Sequence, residues 1–180
     1  DFSEIESPSK QQVLQLSTGA YIEKAESILM VGNPGLGKSH IATGLGRAAC
    51  QQCRKVRFYD AAALVNKLTL AREEQLLTKM IGKIVKLDLL IIDELGFIPF
   101  DQTGSHLLFQ LISALYERVS IIVTTNLRFS DWTQIFGEER LTAALLDRLT
   151  HHAHILEFVG ESYRFKHRKD PHSHPAKTET

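Results

Sequence analysis

The sequence predicts one α/β domain, with a mostly parallel five-stranded sheet lying between helices. Three observations predict it. Five short apolar runs recur about 30 residues apart, the length of one strand–helix–strand unit. The segments between them place apolar residues at helical spacing. The first run leads directly into a glycine-rich loop that opens a helix, the context of a phosphate-binding loop.

In chain order, residues 8–19 read as a helix with Val13, Leu14 and Leu16 as its buried face. The apolar runs follow: Ile28-Leu29-Met30-Val31, Val56-Arg57-Phe58-Tyr59, Leu89-Leu90-Ile91-Ile92, Ile121-Ile122-Val123 and Ile155-Leu156-Glu157-Phe158. Their last residues lie 28, 33, 31 and 35 positions apart, which keeps every gap long enough for a helical crossover. The first, third and fourth runs are apolar without alternation, as in strands covered on both faces. The second and fifth are mixed and belong nearer the sheet edges. Helices are predicted over 38–51, with Ile41, Leu45 and Ala48 at helical spacing, over 61–70, and over 73–86. The last of these has Leu76, Leu77, Met80, Ile81, Ile84 and Val85 as one stripe. A further helix starts at Gly104-Ser105 and runs to about Arg118 with Leu107, Leu108, Leu111, Ile112 and Leu115 inward. Residues 131–136 and 138–150 read as two short helices divided at Gly137. Residues 170–180 have no apolar periodicity and read as a disordered tail after a core spanning 1–169.

Composition narrows the function classes. Twenty-one basic residues balance 21 acidic ones, so there is no coat of positive charge, although local patches are compatible with neutrality. No apolar run is long enough to span a membrane, and no signal peptide is visible. Two cysteines are too few for a disulfide framework and point to a reducing compartment, most simply a cytoplasm.

Gly32-Asn33-Pro34-Gly35-Leu36-Gly37-Lys38-Ser39 matches G-x-x-x-x-G-K-[ST] in full. Small residues let backbone N–H groups turn inward around phosphate oxygens, and the following helix aims its positive dipole end at the same anion. Lys38 is expected to reach the β- and γ-phosphates, and the Ser39 hydroxyl to hold Mg²⁺. Fifty-five residues beyond Lys38, an apolar strand ends in Asp93-Glu94. Ligands of open α/β sheets bind at the carboxyl ends of the strands. Asp93 is therefore expected to support Mg²⁺, and Glu94 to polarise a water for attack on the γ-phosphate. The run ending at Val123 continues into Thr124-Thr125-Asn126. If that strand lies between the other two, Asn126 faces the γ-phosphate and orients the water. An asparagine also ends strands simply because it tolerates turn geometry.

Together these segments resemble AAA+ ATPases of the DnaC/IstB group, and within it the IstB-like helper ATPases of insertion-sequence transposition. The resemblance rests on the phosphate loop continued through His40-Ile41-Ala42, on Leu89-Leu90-Ile91-Ile92-Asp93-Glu94-Leu95-Gly96-Phe97, and on Thr124-Thr125-Asn126-Leu127-Arg128-Phe129-Ser130-Asp131-Trp132. Leu146-Asp147-Arg148-Leu149-Thr150-His151-His152-Ala153 and Gly160-Glu161-Ser162-Tyr163-Arg164 complete it, so that it covers roughly residues 5–168. It implies ATP and Mg²⁺ as ligands, with residues 32–40 around the nucleotide. It also implies Asn126 as the sensor-1 residue, Arg148 as an arginine finger reaching a neighbouring subunit, and Arg164 as a nucleotide sensor. DNA, a transposase and further copies of the chain, assembled with ATP, are the implied partners. Ser39 stands where the group usually has threonine, a tolerated change because both supply a hydroxyl. Sixteen residues follow Arg164, too few for the helical lid most AAA+ proteins have, and little precedes Pro8, where the group has a helical segment.

Weaker signals read structurally. Cys50-Gln51-Gln52-Cys53 has no second pair to complete a zinc site. His151, His152 and His154 enter a strand where alternation separates neighbours, so they read as structural rather than metal-binding. Trp132 reads as a buried anchor for the loop after Asn126. Three basic clusters are candidates for DNA phosphate contacts: Arg54-Lys55-Val56-Arg57, then Lys79 with Lys83 and Lys86, and Arg164 with Lys166, Arg168 and Lys169. The expected function is thus a Mg²⁺-dependent ATPase that binds DNA and engages a transposase. A replicative helicase loader on the same core is the nearest rival. A small-molecule P-loop kinase is the rival of another class, although no separate lid insertion is visible for it.

Overall fold

A computed structural model describes residues 7–160. Five strands form one parallel sheet: β1 (Ser27–Gly32), β2 (Val56–Asp60), β3 (Leu89–Leu95), β4 (Ser120–Thr125) and β5 (Ala153–Phe158), in the order β2-β3-β4-β1-β5. The two mixed runs are the edges, as the apolar patterning predicts, and β4 lies between β1 and β3.

Strand alternation divides the core into two layers. Leu29, Leu90, Ile92, Ile121 and Val123 face one side of the sheet. There they meet α4 (Ala61–Glu73), α5 (Leu77–Ile84), α6 (Gln102–Leu115), α7 (Thr133–Phe136) and α8 (Glu139–Thr150). Ile28, Met30, Leu89, Ile91 and Ile122 face the other, against α1 (Lys10–Ser17), α2 (Ala20–Glu23) and α3 (Lys38–Gln51). Both faces of the central strands are buried, which is why their sequences are apolar without a gap.

Helix boundaries depart from the periodicity where a cap or a left-handed residue decides. The Asp101 carboxylate accepts the Gly104 N–H at 2.7 Å, so α6 begins at Gln102 rather than at Gly104-Ser105. It ends at Leu115, before Glu117 at φ +54°, instead of reaching Arg118. Gln75 at φ +59° breaks the apolar stretch between α4 and α5, leaving α4 longer and α5 shorter than predicted. Leu76, at that break, is 45% exposed and not part of the buried stripe. The single helix expected over 8–19 is α1, capped by Ser9, followed after Gly19 by the short α2, which periodicity did not reveal. Val13 and Leu16, one turn apart, are buried, while Leu14 is 54% exposed on the opposite side.

Trp132 is fully buried, packed 5.6 Å from Phe129 and 5.8 Å from Phe136 between ring centroids. It anchors the 3₁₀ turn Phe129–Asp131 and α7 beneath the loop that leaves β4. Trp132→Ala is expected to cost about 3–5 kcal/mol, measured by denaturant unfolding, because a large aromatic is removed from a closed core.

Candidate nucleotide site

The glycine-rich loop is held open at both ends by backbone geometry. Gly32, at the end of β1, has φ +152°, and a Cβ there would lie 2.5 Å from the Phe158 carbonyl oxygen. Only glycine lets β5 pass so close. Gly37, at φ +89°, is the N-cap of α3, so the helix dipole begins at the loop. Leu36 is buried in the core beside Ile41 and Leu45, which fastens the loop from below. Asn33 and Pro34 are exposed, Gly35 and Ser39 half-buried, and His40 exposed on the first turn of α3. Lys38 is 9% exposed. Its Nζ donates to the carbonyls of Gly32 at 2.6 Å and Asn33 at 2.8 Å, which curls the loop around the ammonium.

Because β4 separates β1 from β3, the ends of these three strands sit side by side at one sheet edge. Neighbouring strands are about 4.8 Å apart, so the acidic pair stands about 10 Å from the start of the phosphate loop. Asp93 is half-buried and Glu94 exposed. Asn126 follows β4 directly and is half-buried between them. The Thr124 hydroxyl donates to Asp93 Oδ1 at 2.5 Å and accepts the Glu94 N–H at 2.9 Å. Sequence reasoning assigned no role to Thr124. The signal was a buried threonine near the end of β4, next to a strand ending in two carboxylates.

Arg148 lies elsewhere. It is in the last turn of α8, in a depression lined by Ser27, Tyr116, Glu117, Val119 and His152, at the edge where the strands begin. A six-residue strand is about 20 Å long, which separates Arg148 from its own phosphate loop. Its guanidinium lies 4.8 Å from the centroid of the Phe109 ring and donates to the Ala144 carbonyl at 2.8 Å. No carboxylate lies within 4.0 Å of it among the described residues, so neither Asp147 one residue before it nor Glu139 at the start of α8 pairs with it. Arg164, the cluster with Lys166, Arg168 and Lys169, and the tail from Asp170 lie outside the described residues.

The histidines separate partly as expected. His154 turns away to Glu26 at 2.9 Å. His151 and His152 stay together, 4.1 Å between centroids, because the turn before β5 precedes any strand alternation. Glu117 joins them within 4.8 Å, all three being exposed. His151 Nδ1 already bonds the Tyr116 hydroxyl at 2.7 Å, which ties the turn after α6 to the turn after α8. Cys50 and Cys53 are both free and exposed. Arg54 is neutralised by Glu23 at 2.8 Å, which thins the first basic cluster. Lys79, Lys83 and Lys86 are exposed and have no carboxylate within 4.0 Å among the described residues. No described helix is long and apolar enough to cross a membrane.

Comparison with known proteins bears on the family and the fold. The chain is 40% identical over 169 residues to an ATP-binding protein of insertion sequence IS5376 from Geobacillus stearothermophilus, covering 94% of this chain and 67% of that one. It is 43% identical to an insertion-sequence ATP-binding protein of Sinorhizobium fredii, over 91% of this chain and 55% of that one. The IS21 ATP-binding protein of Pseudomonas aeruginosa is 36% identical over 89% and 60% respectively. The chain thus spans 55–67% of the length of these relatives. Among solved structures, DnaA bound to AMPPCP and single-stranded DNA superposes with a TM-score of 0.70 at 18% identity, over 88% of this chain and 48% of that one. The DnaC helicase loader superposes at 0.69 and 20% identity, over 83% and 87%. These neighbours establish the fold as the P-loop AAA+ core. The family model described as IstB-like ATP binding protein matches residues 1–171, and the chain belongs to that family.

Proposed function

We propose that this chain binds ATP on residues 32–39 and hydrolyses it with Mg²⁺, as the DNA-binding helper of a transposase. The observation that carries the proposal is the strand order. It brings the phosphate loop, Asn126 and the Asp93-Glu94 pair to one sheet edge, although they are far apart in sequence. In this reading the backbone N–H groups of the loop receive the phosphates, and the Lys38 ammonium exchanges the Gly32 and Asn33 carbonyls for phosphate oxygens. Glu94, exposed at the edge, accepts a proton from the attacking water, and Asn126 orients that water. The Ser39 hydroxyl and the Asp93 carboxylate are hard oxygen donors of the kind Mg²⁺ selects, and they would hold it. When bound, the ion neutralises charge on the β- and γ-phosphate oxygens.

ATP binding is tested by titration with a fluorescent ATP analogue. Lys38→Ala is expected to lose saturable binding while keeping the wild-type unfolding transition. Undiminished affinity in a folded Lys38→Ala chain would place the nucleotide elsewhere.

The insertion-sequence origin of the relatives supports DNA and a transposase as partners, and the exposed lysines of α5 offer a surface for phosphate. Binding is expected to tolerate any sequence and to weaken as salt rises, because released counterions drive it. Double charge reversal, Lys79→Glu with Lys83→Glu, should reduce the log–log salt slope by about two, roughly one per lost phosphate contact. An unchanged slope removes α5 from the footprint.

A further inference from the structure

We infer that Thr124 is a positioning residue for both carboxylates of the proposed hydrolytic site, acting through a β-bulge at which Asp93 and Glu94 lose their register with β4. The inference rests on the hydrolytic reading above and adds a residue which that reading does not use.

The register shows the bulge. Ile92 pairs with Val123, and the next paired residue, Leu95, faces Thr125. Two residues, Asp93 and Glu94, therefore stand opposite one, Thr124. Bulges are rare between parallel strands, and beside active sites they re-aim side chains. Here the period-two alternation that would send adjacent carboxylates to opposite faces is interrupted at the acidic pair itself.

The bulge is backed by an unusual backbone. Glu94 has φ +58°, in the left-handed region that non-glycine residues seldom occupy. Such a conformation persists only where its surroundings over-determine it. In an extra-residue bulge the ladder hydrogen bond of the bulged strand is lost, and the freed amide needs another acceptor. The Thr124 oxygen is that acceptor, at 2.9 Å from the Glu94 nitrogen. The same hydroxyl spends its single proton on Asp93 Oδ1. Thr124 is 1% exposed, so water does not compete for either bond. One buried hydroxyl thus fixes the rotamer of the carboxylate proposed to meet the metal and the backbone of the carboxylate proposed to activate water. The neighbouring Thr125 hydroxyl is used differently, accepting the Leu127 N–H at 3.1 Å in the turn that presents Asn126.

Thr124→Val keeps the shape and the β-branch but removes both bonds, and Thr124→Ser keeps the hydroxyl. Two quantities are measured: the steady-state rate of phosphate release, and the affinity for a fluorescent ATP analogue with Mg²⁺ and with EDTA. Thr124→Val is expected to lower kcat by about 10²-fold, the scale of an ångström-level misplacement. It should also reduce the gain in affinity that Mg²⁺ confers, while the affinity in EDTA stays within about twofold of wild type, a scale far below that misplacement effect. Thr124→Ser should restore both. Unchanged kcat and an unchanged Mg²⁺ effect in Thr124→Val overturn the inference. So does an unfolded Thr124→Val, or an equal loss in Thr124→Ser, since either makes the threonine structural. If the wild-type chain itself shows neither turnover nor Mg²⁺-dependent binding, the hydrolytic reading falls and this inference with it. Wild-type turnover with an unaffected Thr124→Val removes the inference alone.

Discussion

Arg148→Ala is expected to bind ATP like the wild type and to hydrolyse it about 10³–10⁵-fold more slowly, the range that arginine fingers contribute in phosphate-transfer enzymes. The fold gives the physical reason to expect action on a neighbour. Arg148 occupies the edge where strands begin, and the phosphate loop occupies the edge where they end. A side chain cannot cross the ~20 Å between them. The guanidinium is held over the Phe109 ring and by the Ala144 carbonyl, and its charge is not cancelled by a carboxylate within 4.0 Å among the described residues. A fixed cation with no counter-ion among the described residues is suited to meet an anion supplied from outside the chain. Mixing separates this from a local role. Lys38→Ala subunits, inactive alone but with Arg148 intact, should restore part of the activity of Arg148→Ala subunits. A mixture that co-assembles and stays inactive, or an Arg148→Ala chain at full activity, ends the assignment.

Glu94→Gln should retain ATP affinity and lose about 10²-fold or more of its turnover, the usual contribution of a positioned general base. The amide is nearly isosteric but has no basic oxygen. Glu94 is exposed at the sheet edge, so the change should leave the unfolding transition close to wild type. Single-turnover phosphate release separates the chemical step from binding and product release. Equal single-turnover rates for wild type and Glu94→Gln would assign the base to another group.

Much of the fold was legible because it depends on patterns longer than any one residue. Five apolar runs with helix-length gaps specify a parallel sheet, and the mixed composition of 56–59 and 155–158 specified the edges. The phosphate loop was legible because its glycines, lysine and hydroxyl occupy fixed offsets. Helix ends were less so. The break at Gln75 and the start of α6 at Gln102 depend on one left-handed residue and one aspartate cap, which periodicity does not register. Leu14 was misplaced because apolar character alone does not say which side of a short helix meets the core. At the site, Asp93 and Glu94 stand out as a carboxylate pair, but the bulge that shifts their register against β4 does not. It arises from the register between β3 and β4, a relation between segments about 30 residues apart. The part Thr124 plays depends on the same relation, because both of its partners lie on β3. His151 lies close to His152 because both precede Ala153, where β5 and its alternation begin.

The central claim is that the edge shared by the phosphate loop, Asn126 and the acidic pair hydrolyses ATP with water as the acceptor. It is tested most directly by quantifying ADP and free phosphate after incubating the chain with ATP, Mg²⁺ and DNA, with no small acceptor present. The account predicts ADP and inorganic phosphate in equal amounts, with release lost in Lys38→Ala. No ADP from a folded chain that binds ATP, or ADP formed without matching free phosphate, would contradict it.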